Sequence, residues 1–213
     1  MTNSYRSRAG LAATAGLAIP VITTAAYMTF LGGPDERGPA VYFTERMDDI
    51  ITVWLTETVG FAIGIIAALG LAAQAGAERA SWNAIALGSL GGLLSTAIGI
   101  AAFPGFATNG EQFLPLFMAV LNLSFFFFFL GKAATALGVL GLGIELVRRG
   151  GGIGKVVGLL AVLAGLVGGA INIVAMGSGL DLVMPAGLTG VIATVVGAVA
   201  AFLITRQAPQ GAE

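Results

Sequence analysis

The chain has 213 residues, of which 57% are apolar and 10% charged, with a net charge of −1 and no cysteine or histidine. Because soluble domains are about 25% charged, this composition indicates an integral membrane protein. The balanced charge argues against a nucleic-acid partner, and the missing thiols and imidazoles exclude cysteine and histidine catalysis and the usual zinc, copper and haem sites. The sequence therefore predicts no cofactor, no metal site and no enzymatic activity.

Six apolar stretches, taken in chain order, are each long enough to cross the hydrocarbon core, which needs about 20 helical residues. They cover residues 9–31, 50–74, 82–106, 114–147, 156–176 and 182–205. Arg6 and Arg8 precede the first stretch as in a secretory signal, but its apolar part is too long for a typical signal core, so we expect a true span. The predicted fold is an all-α, single-domain bundle of six transmembrane helices in contact with the lipid bilayer.

Basic residues predict the orientation of these spans, since cytoplasmic loops are enriched in lysine and arginine. With the N-terminus inside, the cytoplasmic side carries Arg6, Arg8, Arg79, Arg148, Arg149, Lys155 and Arg206. The outer loops carry only Arg37 and Arg46 among basic residues, and collect Asp35, Glu36, Glu45, Asp48, Asp49, Glu111 and Asp181. Both chain termini are therefore predicted to be cytoplasmic.

The segment between the first two spans has two interpretations. It contains Gly-Pro pairs and then Thr44, which is followed by acidic residues. Threonine is a favoured N-cap and acids are favoured in the first helical turn, so a helix could begin at Thr44. A plain surface connector is the alternative that we favour.

The fourth apolar stretch is too long for a simple span. As one helix its 34 residues would extend about 51 Å, against a hydrocarbon core of about 30 Å, and tilting does not absorb the difference. Either one end leaves the core or the helix breaks near Gly131. In the register that we favour, Arg148 marks the cytoplasmic edge and the phenylalanines at 125–129 lie at the outer interface. In the alternative, these phenylalanines cross the core, Lys132 snorkels inward and residues 133–147 lie along the membrane.

Each predicted span places one polar side chain at a similar depth, when residues are counted upward from the cytoplasmic edge at about 1.5 Å each. In chain order these residues are Thr24, Glu57, Thr96, Lys132, Asn172 and Thr189. Several of them share a helix face with glycine or alanine, and small residues mark the faces that pack against other helices. Glu57 and Asn172 are therefore predicted to point into the bundle.

Glu57 is the only acidic residue well inside a predicted span, and Lys132 is the only basic one. A lone charge at mid-membrane costs between about 2.5 and more than 10 kcal/mol. We therefore predict that the two side chains form an ion pair, with Asn172 and Thr96 as hydrogen-bond partners. Such a pair would be a structural lock, or alternatively a transport or proton-relay site.

The segment GVLGLGIELVRRGGGIGKVVGLLAVLAGLVG, residues 138–168, has a short Arg-Gly turn before a helix rich in glycine, alanine and leucine. It resembles the end of a group of uncharacterised six-helix bacterial membrane proteins, which share a domain of unknown function. The resemblance implies a protein of the bacterial inner membrane and assigns no functional residue.

Two functions fit these observations. The first is a non-enzymatic structural or accessory subunit, whose glycine-rich helix faces pack in a homo-oligomer or in a larger membrane complex. The second is a small permease or ion pathway that uses Glu57 and Lys132. The sequence favours the first function, because it contains no internal repeat of the kind that many transporters have.

Overall fold

The computed structural model describes residues 3–33, 36, 38–109 and 113–207, and every regular element in this part of the chain is helical. The α-helices are α1 (Asn3–Ala26), α2 (Pro39–Ala72), α3 (Arg79–Asn109), α4 (Leu114–Arg149), α5 (Ile153–Ser178) and α6 (Val183–Arg206). A π-helical turn, Tyr27–Leu31, continues α1, and a 3-10 turn, Gly179–Leu182, joins α5 to α6. The all-α prediction is confirmed. Three charged residues of the predicted outer loops, Asp35, Arg37 and Glu111, lie outside the described residues.

Five helical segments of the described chain are long and apolar enough to cross a membrane. They are Tyr5–Leu31, Val41–Ala72, Arg79–Phe106, Leu114–Arg149 and Ile153–Arg206. The last segment holds both the fifth and the sixth predicted spans, because the 3-10 turn continues the helical backbone from α5 into α6. Large apolar side chains such as Phe30, Ile66 and Ile153 are largely exposed on the bundle, as a surface in contact with lipid requires. These features are those of a multi-pass membrane protein.

Consecutive helices lie side by side and run antiparallel. Thr24 of α1 contacts Glu57 of α2, whereas the earlier residue Tyr5 lies beside the later residue Gly70. Contacts between α1 and α2, α2 and α3, α3 and α4, α4 and α6, and α6 and α1 close a ring of five helices. Helix α5 packs on the outside of this ring, against α4 and α6.

Glycine allows neighbouring helices of the ring to touch through their backbones. A Cβ atom on Gly131 of α4 would lie 2.7 Å from the carbonyl oxygen of Gly88 and 2.8 Å from the amide nitrogen of Gly92 in α3. A Cβ atom on Gly16 of α1 would lie 2.5 Å from the amide nitrogen of Gly64 in α2. Any larger residue at these two positions would push the helices apart, since backbone atoms cannot rotate away as a side chain does.

The two ends of the bundle are packed differently. We call the end where α1 begins and α6 ends the Arg6 end, and the opposite end the Tyr42 end. Towards the Arg6 end, small residues pack around a few fully buried large side chains, among them Trp82, Leu142 and Ile204. This apolar cluster joins all six helices and fills the half of the ring that lies towards the Arg6 end.

Aromatic rings fill the Tyr42 end. The ring of Phe103 in α3 lies 5.1 Å from that of Phe43 in α2 and 5.2 Å from that of Phe117 in α4, both in edge-to-face geometry. Tyr42 and Trp54 extend the same cluster. Because edge-to-face pairs contribute about 0.5–1.5 kcal/mol beyond their buried area, the cluster fixes the ends of α2, α3 and α4 relative to one another.

The start of α2 shows that the favoured interpretation of the segment between the first two spans, a plain connector, is wrong from Pro39 onward, and it also corrects the alternative of a helix that begins at Thr44. The helix begins at Pro39 with Gly38 as its N-cap, so Thr44 lies inside it. Proline is favoured in the first helical turn because its φ angle is already helical and its missing N–H needs no partner there. Gly38 adopts a φ of 89°, which glycine tolerates because it has no Cβ.

Helix α4 is unbroken from Leu114 to Arg149, so no break occurs near Gly131. Residues 133–147 contain its most deeply buried side chains, including Val139 and Leu142. They pack inside the bundle, so the alternative in which this segment leaves the bundle to lie along the membrane is wrong.

We expect Gly131→Ala to lower the thermal midpoint of the protein in detergent. The new methyl group would be forced against the backbone of α3, and such overpacking costs about 1–3 kcal/mol, more than the gain of about 0.5–1 kcal/mol from replacing glycine in a helix. Gly187→Ala in α6 is the matched control, because a Cβ atom at Gly187 meets nothing within 4 Å. This control should keep or raise the midpoint. Equal midpoints for the two variants would contradict the close packing of α3 and α4.

Candidate functional site

Lys132 of α4 lies at the centre of the five-helix ring and is only 6% exposed. Its aliphatic stem packs against Gly190 of α6, where a Cβ atom would lie 3.0 Å from the lysine Cγ and Cδ atoms. Its Nζ atom lies 5.4 Å from the centre of the Phe128 ring, within the range of a cation–π interaction. Glycine on α6 therefore makes room for the stem, and a phenylalanine face contacts the charge.

A small cavity lies beside Lys132. Its volume of about 20 Å³ is sufficient for one water molecule. All five helices of the ring contribute to its lining, and the polar side chains among them are Lys132, Ser89, Thr135 and Thr194. Within the described residues the lysine ammonium makes no hydrogen bond and no ion pair, and most of the cavity lining beside it is apolar.

Pro20 changes the wall that α1 contributes to the cavity. Proline has no N–H, so the helix hydrogen bond that residue 20 would donate to the carbonyl of Gly16 is missing. Gly16 and Pro20 both line the cavity. The polar side chains available to a water molecule there are the Lys132 ammonium and the hydroxyls of Ser89, Thr135 and Thr194, in a lining that is mainly apolar.

Glu57 of α2 is held by two threonines of α1 rather than by Lys132. Its Oε1 atom accepts hydrogen bonds of 2.9 Å from the Thr23 hydroxyl and 3.1 Å from the Thr24 hydroxyl. One turn further along α2, Phe61 lines the cavity beside Lys132. The carboxylate and the ammonium lie within electrostatic range of each other, but no N–O distance of 4.0 Å or less joins them. The predicted direct ion pair is not formed.

The other polar residues of the predicted layer form separate contacts between helices. The Thr96 hydroxyl lies 2.9 Å from that of Thr58, which joins α3 to α2. The Asn172 amide donates to the carbonyl of Ala186 at 3.1 Å, which joins α5 to α6, and its Oδ1 atom is buried without a hydrogen bond. Thr189 donates to carbonyls of its own helix. Of the six residues, only Lys132 lines the central cavity, and Thr24 binds Glu57, while neither Thr96 nor Asn172 hydrogen-bonds to Glu57 or Lys132.

Sequence reasoning missed four hydroxyl groups of this site. They are Thr23, which binds Glu57, and the cavity-lining residues Ser89, Thr135 and Thr194. Serine and threonine are common in membrane helices and usually bond to their own backbone, so none of the four stands out in the sequence. Of the four residues, only Thr135 could have been identified from the sequence, because it follows Lys132 by three residues and therefore lies on the same helix face.

A second group of charges lies at the Arg6 end, about 25 Å along α4 from Lys132. The Glu78 side chain is 3% exposed and accepts hydrogen bonds from Arg6 at 3.0 Å, from Arg149, and from the Trp82 indole at 3.3 Å. Arg149 also binds Glu145 of its own helix at 3.0 Å. This network joins the start of α1 and the start of α3 to the end of α4. The positive-inside rule puts both arginines on one side of the membrane, but nothing in the sequence predicts Glu78 as their partner.

No protein-family profile, curated protein or solved structure matches this chain. Its function is therefore argued from the Lys132 cavity, the Glu57 carboxylate and the helices that position them.

We expect Lys132→Met to leave the thermal midpoint unchanged or to raise it. Methionine fills the space of the lysine stem and removes an ammonium whose burial is costly, while Glu57 keeps its two threonine donors. Thermal unfolding in detergent measures the effect, with Lys155→Met as the control because Lys155 is exposed. A loss of about 3–5 kcal/mol, the usual cost of breaking a buried ion pair, would mean that Glu57 depends directly on Lys132.

We expect Glu78→Gln to destabilise the protein by about 3–5 kcal/mol, because it leaves Arg6 and Arg149 buried without their shared countercharge. Asp49→Asn is the matched control. It removes the same charge from an ion pair with Arg46 whose side chains are 51% and 62% exposed, and exposed pairs contribute little. Equal thermal midpoints for the two variants would show that the Glu78 network does not stabilise the Arg6 end.

Proposed function

We propose that this chain is a non-enzymatic, multi-pass protein of the bacterial inner membrane that conducts protons through the centre of its helix ring, by way of Glu57 and Lys132. Each of its six α-helices would cross the bilayer once, with the Arg6 end and both termini in the cytoplasm. The observation that carries the proposal is the Lys132 ammonium, buried beside a water-sized cavity without a hydrogen bond or ion pair from the described residues.

A structural role explains this ammonium poorly. A charge buried in a membrane protein is costly, and a structural ion pair offsets that cost through direct contacts. The direct surroundings of the Lys132 ammonium are the face of Phe128 and the cavity, and its attraction to Glu57 acts only at a distance, because Glu57 is hydrogen-bonded to threonines. A buried charge whose desolvation cost is only partly offset is typical of functional sites. At such sites the folding free energy is smaller than the same fold could reach with other residues.

The size and lining of the cavity favour protons over larger solutes. About 20 Å³ accommodates a water molecule, and a water molecule accepts one proton as it donates another. Glu57 does not itself line the cavity, so when its O–H bond breaks its proton passes first to a water beside the carboxylate, and the water in the cavity then gives a proton to form the new N–H bond on a neutral Lys132. The reverse sequence returns the proton, so carboxylic acid and amine exchange with carboxylate and ammonium without net change in the water.

The orientation follows from the charges at the two ends. Arg6, Arg148, Arg149 and Lys155 lie at the Arg6 end of their helices, and cytoplasmic loops are enriched in such residues. The described residues of the Tyr42 end include the acids Asp48 and Asp49 near the start of α2. The positive-inside rule therefore supports a cytoplasmic Arg6 end.

An accessory subunit is the function that the sequence favours, and it would use the glycine-rich helix faces for packing within a homo-oligomer or a larger membrane complex. It accounts for the close approach of α3 and α4 at Gly131. It assigns no role to the Lys132 ammonium, the group whose burial costs most in this bundle.

The test is proton flux into liposomes that contain the purified protein and a trapped pH-sensitive dye, under an imposed potassium diffusion potential. We expect flux above that of protein-free liposomes, lowered at least tenfold by Lys132→Met or Glu57→Gln and unchanged by Lys155→Met. Flux equal to that of protein-free liposomes, or flux that Lys132→Met leaves unchanged, would contradict proton conduction and would favour the accessory subunit.

A further inference from the structure

Two tyrosine hydroxyls lie within the aromatic cluster at the Tyr42 end. The Oη atoms of Tyr27 and Tyr42 are 2.9 Å apart, and the Tyr42 hydroxyl also lies 3.2 Å from the carbonyl oxygen of Gly32. Tyr42 is only 7% exposed. Its neighbour Phe43 occupies the same cluster without a hydroxyl, so packing alone does not require phenols here.

Tyr27 lies on the side of the Glu57 site that faces the Tyr42 end of the bundle. It follows Thr23 and Thr24 by four and three residues, the spacings that put side chains on one helix face, and both threonines bind Glu57. Tyr27 and Glu57 lie within electrostatic range of each other. The hydroxyl pair therefore stands between Glu57 and the Tyr42 end of the bundle.

Gly32 provides the link to the surface. It follows the π-helical turn Tyr27–Leu31 and is partly exposed, and its neighbour Gly33 is exposed. From the surface inward, the polar groups are the Gly32 carbonyl, the Tyr42 hydroxyl, the Tyr27 hydroxyl and the Glu57 carboxylate. π-helical turns are frequent at functional sites because they shift the helix register locally, and this one begins at Tyr27.

We propose that the Tyr27–Tyr42 hydroxyl pair is the outer segment of the proton route, which carries protons between Glu57 and water at the Tyr42 end. This inference rests on the proposed function and assigns a role to two residues that the route through Glu57 and Lys132 does not itself include.

Proton transfer through the pair conserves every O–H bond. A hydronium ion at the Tyr42 end gives one proton to the Tyr42 oxygen and becomes water, while Tyr42 passes its own proton to the Tyr27 oxygen. Tyr27 is not hydrogen-bonded to Glu57, so its proton passes through an intervening water molecule to the Glu57 carboxylate, which becomes a carboxylic acid. Both tyrosines end neutral, with their O–H bonds now pointing outward, towards the side from which the protons came.

The second acceptor of Tyr42 allows the pair to reset. Its single hydroxyl proton has two acceptors in reach, the Tyr27 oxygen and the Gly32 carbonyl. Rotation of the Tyr42 O–H bond towards Gly32 frees its oxygen to accept a hydrogen bond from Tyr27, which is the arrangement for outward transfer. The positions of the three oxygen atoms therefore allow both inward and outward proton transfer, and neither tyrosine ring has to move.

The test replaces each tyrosine by phenylalanine in the full-length protein and measures proton flux in the same liposomes. Phenylalanine keeps the ring and its packing and removes only the hydroxyl. We expect Tyr27→Phe and Tyr42→Phe each to lower the flux at least tenfold, and the double variant to lower it no further, because the two hydroxyls act in series. The chain has three tyrosines, and Tyr5→Phe at the Arg6 end is the matched control, expected to conduct like the unmodified protein.

The outcomes separate this inference from the proposed function. If Lys132→Met abolishes flux while both phenylalanine variants conduct normally, the tyrosine route is wrong and the central site stands. If the unmodified protein conducts no protons, both are wrong. Thermal midpoints check folding, and if Tyr42→Phe is destabilised by the loss of its bond to Gly32, Tyr27→Phe decides.

Discussion

The burial of one ammonium group at the meeting point of five helices constrains the rest of this structure. The stem of Lys132 fits only because Gly190 leaves its space open, and α4 reaches α3 closely only because glycine lies on both sides of the contact at Gly131 and Gly88. Larger residues at these positions would widen the ring and expose the lysine to lipid or to bulk water. The small residues therefore control both the distance between helices and the surroundings of the charge.

Glu57, Lys132 and the hydroxyl groups near them lie between two regions of different packing. Small residues and a few large side chains fill the bundle towards the Arg6 end, where the Glu78 network joins three helices. Edge-to-face aromatic rings hold the Tyr42 end. Because both ends are firmly packed, the middle of the ring can contain a cavity and a weakly compensated charge without loss of the fold. Stability is thus concentrated away from Glu57 and Lys132, as expected where function conflicts with stability.

The two halves of the bundle also differ in chemistry. From Glu57 towards the Tyr42 end, the hydroxyls of Tyr27 and Tyr42 lead to the Gly32 carbonyl. From Lys132 towards the Arg6 end, the ring is filled by the apolar cluster around Leu142 and Ile204, so the proposed conduction requires water to enter this half of the ring before Lys132 exchanges a proton with the Arg6 end. Glu57 lies on the hydroxyl-containing side and Lys132 borders the apolar side, so the acid and the base of the proposed route face different surroundings.

The sequence by itself determined the all-helical class, the membrane environment and the helix on which each polar residue lies, because apolar length and helical spacing are local properties of the chain. It also identified Glu57 and Lys132 as the two charges that need an explanation. Only the tertiary structure decided their partners. Thr23 and Thr24, not Lys132, bind Glu57, and Arg149 binds Glu78 across 71 positions of sequence. Partner choice depends on which helices are neighbours and on how each is rotated about its axis, and spacing along a single helix contains no information on either.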